Sequence, residues 1–323
     1  MMLPELHLLP LPTPFPIGPV NVYLAEGEPL TLIDAGPKYG PAQWALEKGL
    51  AQHGYRIEDL RQLILTHHHV DHIGLAAEIV HRSDAKVFTH AHNLPWLSEF
   101  EESFEADADF YYRFYKENGV PEEAIIAIDR LRKEIVRFAH SFRGRVHCLA
   151  EEDKIFFANR TWKVFHTPGH AGGLICLWQP ESRTLLCNDH LLRDVSSNAI
   201  MEPPVDARQP RPQRLVEYLH HLQRMAGLDP KLALPGHGET ISNFSDLVRE
   251  RIAFHHLRAQ KIYEILEDRA LTLWELTQAV FPVLAGDIDW FLGLSEVQGH
   301  LDWLEREGKI RKMQNRLLQW QRI

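Results

Sequence analysis

Leu63-Ile64-Leu65-Thr66-His67-His68-His69-Val70-Asp71-His72-Ile73-Gly74 is the stretch that decides how this chain reads. Directly after an apolar run it places His67, His69, Asp71 and His72, four groups of metal-ligating type, within six residues. A strand that delivers His-x-His-x-Asp-His into a turn aims imidazoles and a carboxylate at one point. Such groups suit borderline divalent ions such as zinc. With no ion they would be unpaired polar side chains at the end of a buried strand, which is costly.

Three later segments repeat the pattern of an apolar run ending in a ligand at a tight turn. Trp162-Lys163-Val164-Phe165 leads to Thr167-Pro168-Gly169-His170, and Thr184-Leu185-Leu186-Cys187-Asn188 leads to Asp189. Lys231-Leu232-Ala233-Leu234 leads to Pro235-Gly236-His237-Gly238. Gly and Pro permit the sharp turns. Five His and two Asp exceed the needs of one tetrahedral ion and suit two ions sharing a carboxylate and a water.

The order HxHxDH, His, Asp, His resembles the metallo-β-lactamase-fold hydrolase superfamily, and Leu32-Ile33-Asp34-Ala35-Gly36 resembles its first-strand Asp-x-Gly signature. The resemblance runs from about residue 15 to 245. It implies an αββα sandwich with the site at one edge of the facing sheets. By motif position it implies a first metal on His67, His69 and His170 and a second on Asp71, His72 and His237, with Asp189 bridging. It further implies two divalent ions, Zn2+ first and Mn2+, Fe2+ or Co2+ as alternatives. Asp71 would be the catalytic residue that orients the nucleophile and passes a proton to the leaving group, and Asp34 would support a ligating His. The family usually carries Gly before the bridging Asp; here Asn188 stands there, a residue that tolerates left-handed backbone.

Composition limits the choices. At 323 residues and 45% apolar content the chain can bury a sizeable core, and its length suggests about two domains. A net charge of −9 argues against a surface that grips nucleic acid or anionic membrane throughout. The motifs use five of twenty histidines; His53, His81, His140, His220 and His255 read as solvated or ordinarily hydrogen-bonded. Three cysteines without a CxxC pair favour a reducing compartment. The N-terminus lacks a basic leader and no stretch reaches about 18 apolar residues, so the expectation is a soluble cytoplasmic protein with no membrane partner.

Along the chain, residues 1–250 read as the catalytic domain and 251–323 as a helical linker plus a winged-helix-like unit. The parts of that unit are helices near 273–277 and 295–304 and a hairpin of 311–313 with 317–320. This tail resembles one found in the branch containing the β-lactamase-like protein 2 group, near the glyoxalase II-like enzymes. The separation of 98 positions from His72 to His170 exceeds what a compact member needs. The excess, about 94–143, reads as a helical insertion rich in aromatics, including Tyr111, Tyr112 and Tyr115. These residues either wall the acyl part of a substrate or pack the insertion's own core or a dimer interface. His68 is expected to face away from the ligands; His190, which either contacts substrate or packs behind the site, is left outside the ligand set, and Asn198 reads as a candidate for substrate contact.

The leading functional expectation is hydrolysis of a small carboxyl ester, thioester or lactone. The alternative is a metal-dependent endoribonuclease or phosphodiesterase. Residues 301–323 carry six Lys or Arg against three acids while 251–300 carry four against seven, a weak phosphate footprint. Redox chemistry is disfavoured because the flavin-linked diiron branch puts Glu where His69 stands. A homodimer stays open.

Overall fold

The computed structural model describes residues 2–142, 144–206, 208–267, 269–284 and 286–323. Short apolar runs form strands buried on both faces, and parallel pairing between them demands helical crossovers. The first sheet is ordered β1 (Leu6–Leu11), β2 (Val20–Ala25), β3 (Thr31–Ile33), β4 (Gln62–Ile64), β5 (Lys86–His90) and β6 (Val146–Leu149). Its first two pairings are antiparallel and its other three parallel. The crossovers are α1 (Gly40–Gln52), then α2 (Val70–Ile73) with α3 (Ala76–Arg82). The third crossover holds α4 (Pro95–Ser98), α5 (Phe100–Glu117) and α6 (Glu122–Ile135).

The second sheet contains β7 (Lys154–Phe157), β8 (Arg160–His166), β9 (Ile175–Gln179), β10 (Thr184–Leu186) and β11 (Leu232–Leu234). They lie in the order β11-β10-β9-β8-β7, and β10 and β11 are parallel across α7 (Arg214–Ala226). Alternation along each strand divides the cores. Ile33 and Ile64 point inward with Tyr23 against Trp162, Leu177 and Leu186 of the other sheet. Leu32 and Leu63 point outward to Leu46 and Leu50 of α1 and Ile79 of α3. On the far side Cys176 and Leu185 meet Leu215 and Leu222 of α7 and Phe244 and Leu247 of α8 (Phe244–Leu266). The result is the expected αββα sandwich.

A fourth core lies outside the sandwich. It joins the insertion to the last part of the chain: the second half of α8, α9 (Leu273–Val280), α10 (Asp287–Arg306), and the hairpin β12 (Ile310–Gln314) with β13 (Leu318–Arg322). Tyr111, Tyr115, Val120 and Ile128 of the insertion pack with Ile262, Leu276, Leu301 and Trp320. Phe110 and Phe114 lean on the same cluster, whereas Tyr112 is exposed. Tyr111 and Tyr115 therefore fill a core shared with the tail, whereas Trp96, Phe100 and Phe142 of the insertion join the core outside the first sheet. The far end of the expected insertion, residue 143, lies outside the described residues.

Several bounds differ from the sequence reading. α10 starts at Asp287, well before Ser295, because Gly286 turns the chain at φ +140 and Asp287 and Asp289 fill an acidic first turn. α6 ends at Ile135, followed by a 3-10 turn at 136–138. Thr272 and Glu275 cap α9 reciprocally. Among the described residues no helix is long and apolar enough to cross a membrane.

Trp320 is fully buried where insertion and tail meet. Trp320→Ala should cost about 3–5 kcal/mol in urea unfolding, the usual range for deleting a core Trp. Limited proteolysis of that variant should cut α5 and α6 as well as the tail. Cuts confined to the tail would contradict a shared core.

Candidate metal centre

Strand β4 stops at Ile64, so His67 and His69 lie in the loop beyond it and Asp71 and His72 on the short helix α2. The helical turn thus begins at Val70, inside the motif itself. His170 follows β8, Asp189 sits in a 3-10 turn after β10, and His237 follows β11. Sequence distance collapses at this edge of the two sheets.

The atoms of His67, His69 and His170 that could bind an ion lie within 4.8 Å of one another. So do those of His67, His72 and Asp189, and those of Asp71, His72 and His237. His69 Nδ1 is 3.1 Å from His67 Nε2 and 2.9 Å from His170 Nε2. The three rings stand at 79°, 81° and 79° to one another, which lets their in-plane lone pairs converge. On the other side, Asp71 Oδ2 lies 3.3 Å from His237 Nε2 and 4.0 Å from His72 Nε2. Asp189 reaches both groups: Oδ2 is 3.5 Å from His170 Nε2 and 3.6 Å from His237 Nε2, and Oδ1 is 3.6 Å from His72 Nε2.

The back of each ring is fixed. Asp34, fully buried at φ +62, accepts from His72 Nδ1 at 2.8 Å and from the Thr66 hydroxyl and amide at 2.8 Å each. Because Thr66 Oγ1 donates to Asp34, it accepts from His67 Nδ1 at 3.2 Å. His170 Nδ1 meets the Asn198 carbonyl at 2.9 Å, and His237 Nδ1 meets the Pro19 carbonyl at 2.9 Å. These four imidazoles carry their proton on Nδ1 and turn a bare Nε2 inward. One proton on His69 Nδ1 could satisfy only one of its two facing nitrogens; a cation satisfies all three. Among the described residues the buried His72 Nε2 and Asp189 Oδ1 also find no hydrogen-bond partner. A Cβ on Gly236 would come 2.0 Å from Asp189 Oδ1 and 2.9 Å from His72 Cε1, so the wall of the site is backbone. This donor set fits divalent ions bound by nitrogen and oxygen.

Charge is unevenly shared. Burial, with neighbouring imidazoles, holds His67, His69 and His170 below the usual histidine range. Burial opposes charge on His72 and His237 too, but Asp189 and Asp71, with Asp34 beside His72, raise both. Burial alone would raise Asp71 and Asp189; the facing histidines outweigh it and lower them. The carboxylate side thus draws positive charge, which divalent ions would supply while the imidazoles stay neutral.

Asn188 takes φ +44, so the turn before Asp189 keeps the left-handed backbone that Gly would supply. His68 stacks on Trp96 at 4.8 Å and points toward Glu202, away from the ligands. His190 is buried against Tyr218, with burial pushing it to about 3. His255, expected to be solvated or ordinarily bonded, is buried and bonded to His300. A second trio, His90, His92 and His166, also brings its nitrogens within 4.8 Å. There, however, the His90 and His166 rings stack at 3.8 Å and 13°, so no point near both lies in both ring planes. His90 and His166 form a stacked pair, with His92 edge-on to both.

Sequence reasoning missed the residues that pin the ligand turns. Asn21 Nδ2 donates to the Pro235 and Gly238 carbonyls, and Tyr23 Oη donates to Pro235. The Glu202 carboxylate accepts from Gly172 N and from the buried Arg214 guanidinium, fixing the loop after His170. Polar Asn21 within an otherwise apolar strand was the one signal available.

A family model described as the metallo-beta-lactamase superfamily matches residues 16–237. The probable metallo-hydrolase YqjP of Bacillus subtilis is 35% identical over 303 residues, covering 93% of this chain and 92% of its own. The crystal structure of the metallo-beta-lactamase family protein TTHA1429 from Thermus thermophilus superposes over 100% of both chains, with TM-score 0.85 and 29% identity. The thioesterase pkgB of Emericella nidulans is 25% identical over 250 residues, covering 76% of this chain and 54% of its own.

Asp34→Asn keeps a residue that tolerates positive φ but removes the charge behind His72 and Thr66. It should weaken zinc binding by about 10–100-fold, the usual effect of losing a partner of a ligating His. Competition with a chromophoric chelator reads this directly; unchanged affinity would show that Asp34 only shapes the turn.

Proposed function

The chain belongs to the metallo-β-lactamase superfamily and is a metal-dependent hydrolase; from that premise we propose a dinuclear enzyme acting on a small carboxyl ester, thioester or lactone. The observation that carries the dinuclear reading is Asp189, whose two oxygens lie between the three-imidazole group and the Asp71, His72, His237 group. His67, His69 and His170 would hold one ion and Asp71, His72 and His237 the other, with Zn2+ preferred and Mn2+, Fe2+ or Co2+ compatible. Such ions polarise a carbonyl and bring the pKa of water toward neutrality.

Asp71 would carry the proton. Its Oδ2 faces His237 and His72, and among the described residues no hydrogen bond occupies its other oxygen. That oxygen would orient the attacking water and return a proton to the leaving group. Asp34, through His72 and Thr66, would keep the Nε2 atoms of His72 and His67 available to such ions.

Support for an acyl substrate comes from charge and from likeness. Ten bases balance ten acids over residues 251–323 in a chain of net charge −9, a poor match for a polyphosphate ligand. One relative bears the name thioesterase. The helix, helix, ribbon order of α9, α10, β12 and β13, with Leu271 bridged to Trp320, fits a winged-helix-like tail used for packing. Three unpaired cysteines fit a reducing cytoplasm.

A panel of p-nitrophenyl esters, acyl thioesters, lactones and single-stranded RNA tests the substrate class, with the carboxyl compounds expected to have the higher kcat/KM. Faster RNA cleavage would promote the nuclease reading. Chelation should abolish turnover, with two equivalents of Zn2+ or Co2+ restoring it, and His69→Ala should be inactive and metal-poor. Restoration by one equivalent would remove the dinuclear mechanism.

A further inference from the structure

We propose that Asn198 is a positioning residue that makes the placing of His170 and Asp189 depend on the C-terminal helix α10; this rests on the metal-centre reading above. The segment from Leu191 to Asn198 belongs to no helix or strand, so no backbone ladder of its own holds it. Its end nevertheless grips two ligands. Ser197 Oγ donates to the Asp189 carbonyl and lies 3.0 Å from His170 Nδ1. The Asn198 carbonyl, 2.9 Å from the same Nδ1, shares that proton.

Asn198 is held in turn by the tail. Asn198 Nδ2 donates to the Leu292 carbonyl of α10 at 3.1 Å. A helical carbonyl keeps a second lone pair beyond its own bond in the helix, so α10 can accept without breaking. Further up the segment, Arg251 of α8 donates to the carbonyls of Leu192, Arg193 and Val195 at 3.3, 2.9 and 3.1 Å. Arg193, Asp194 and Val195 are exposed between these anchors. From α10 to the metal-facing ring of His170 the path is therefore two hydrogen bonds through one residue. The Asn198 side chain, which sequence reading kept as a substrate-contact candidate, uses its amide for this link.

The link assigns the tail a role beyond packing. Loss of the Leu292 bond frees the Asn198 carbonyl to drift, and His170 Nε2 then leaves the position it shares with His67 and His69. Angular error of that kind weakens an ion site without unfolding the protein.

The test uses the full chain loaded with Co2+ or Zn2+. Asn198→Ala, and the isosteric Asn198→Asp that loses the donor, should bind the first ion about 10–100-fold more weakly. They should also shift the Co2+ visible absorption and lower kcat more than they change KM. Leu273→Ala, which hollows the core of the same tail in α9, should lower Tm yet keep the parental affinity and spectrum. Parental affinity and spectrum in both Asn198 variants would overturn the proposal, as would an equal loss in Leu273→Ala. A parent protein that takes up no divalent ion would instead overturn the metal-centre reading, since parent and variants would then fail alike.

Discussion

A single buried carboxylate determines which nitrogens two of the converging histidines present. Asp34 accepts from His72 Nδ1 directly and, through the Thr66 hydroxyl, fixes the proton of His67 on Nδ1. Either ring in its other tautomer would turn an N–H toward the ions and cease to be a ligand. The fold is arranged to hold Asp34 there. Its amide bonds to Ile64 at the end of β4, and the next amide, of Ala35, bonds to His72 itself. The ends of β3 and β4 and the start of α2 are thereby stitched into one unit.

The sandwich supplies the remaining ligands because strand ends converge at one edge of both sheets. β8, β10 and β11 deliver His170, Asp189 and His237, and β2 crosses over to pin the last of these through Asn21 and Tyr23. The Val20–His237 bridge joins the two sheets at that point. Inter-sheet packing of Tyr23, Trp162 and Leu186 sets the distance that these polar contacts require. Core and site are therefore coupled geometrically.

Much of this was legible in the chain, and the boundary has a physical cause. Ligand turns are local: an apolar run, a Gly or Pro, and a His or Asp fall within a few residues, so the seven candidate ligands that the fold brings together, and Asp34 behind them, could be read. Asn188 was readable too, since its tolerance of positive φ is a property of one residue. The partners that orient the ligands are far away in sequence, as with Asn198 on Leu292 or Pro19 on His237, and no local pattern encodes them. The insertion's aromatics were ambiguous for the same reason. Their spacing says that α5 has an apolar face, not what covers it, and the answer, α8 to α10, lies over a hundred residues on.

The charge balance bears on how many ions the site takes. Asp34, Asp71 and Asp189 place three negative charges among imidazoles that are neutral when they ligate. One divalent ion would leave a buried net negative charge, costly away from water and repulsive to the oxyanion that forms as a carbonyl is attacked. Two divalent ions leave one positive charge, which opposes that penalty and favours the developing anion. The raised affinity of His72 and His237 for protons reports the same demand, since the carboxylates recruit positive charge to the side of the site where the second ion would lie. Geometry at Asp189 allows two ions, and electrostatics gives a reason for both.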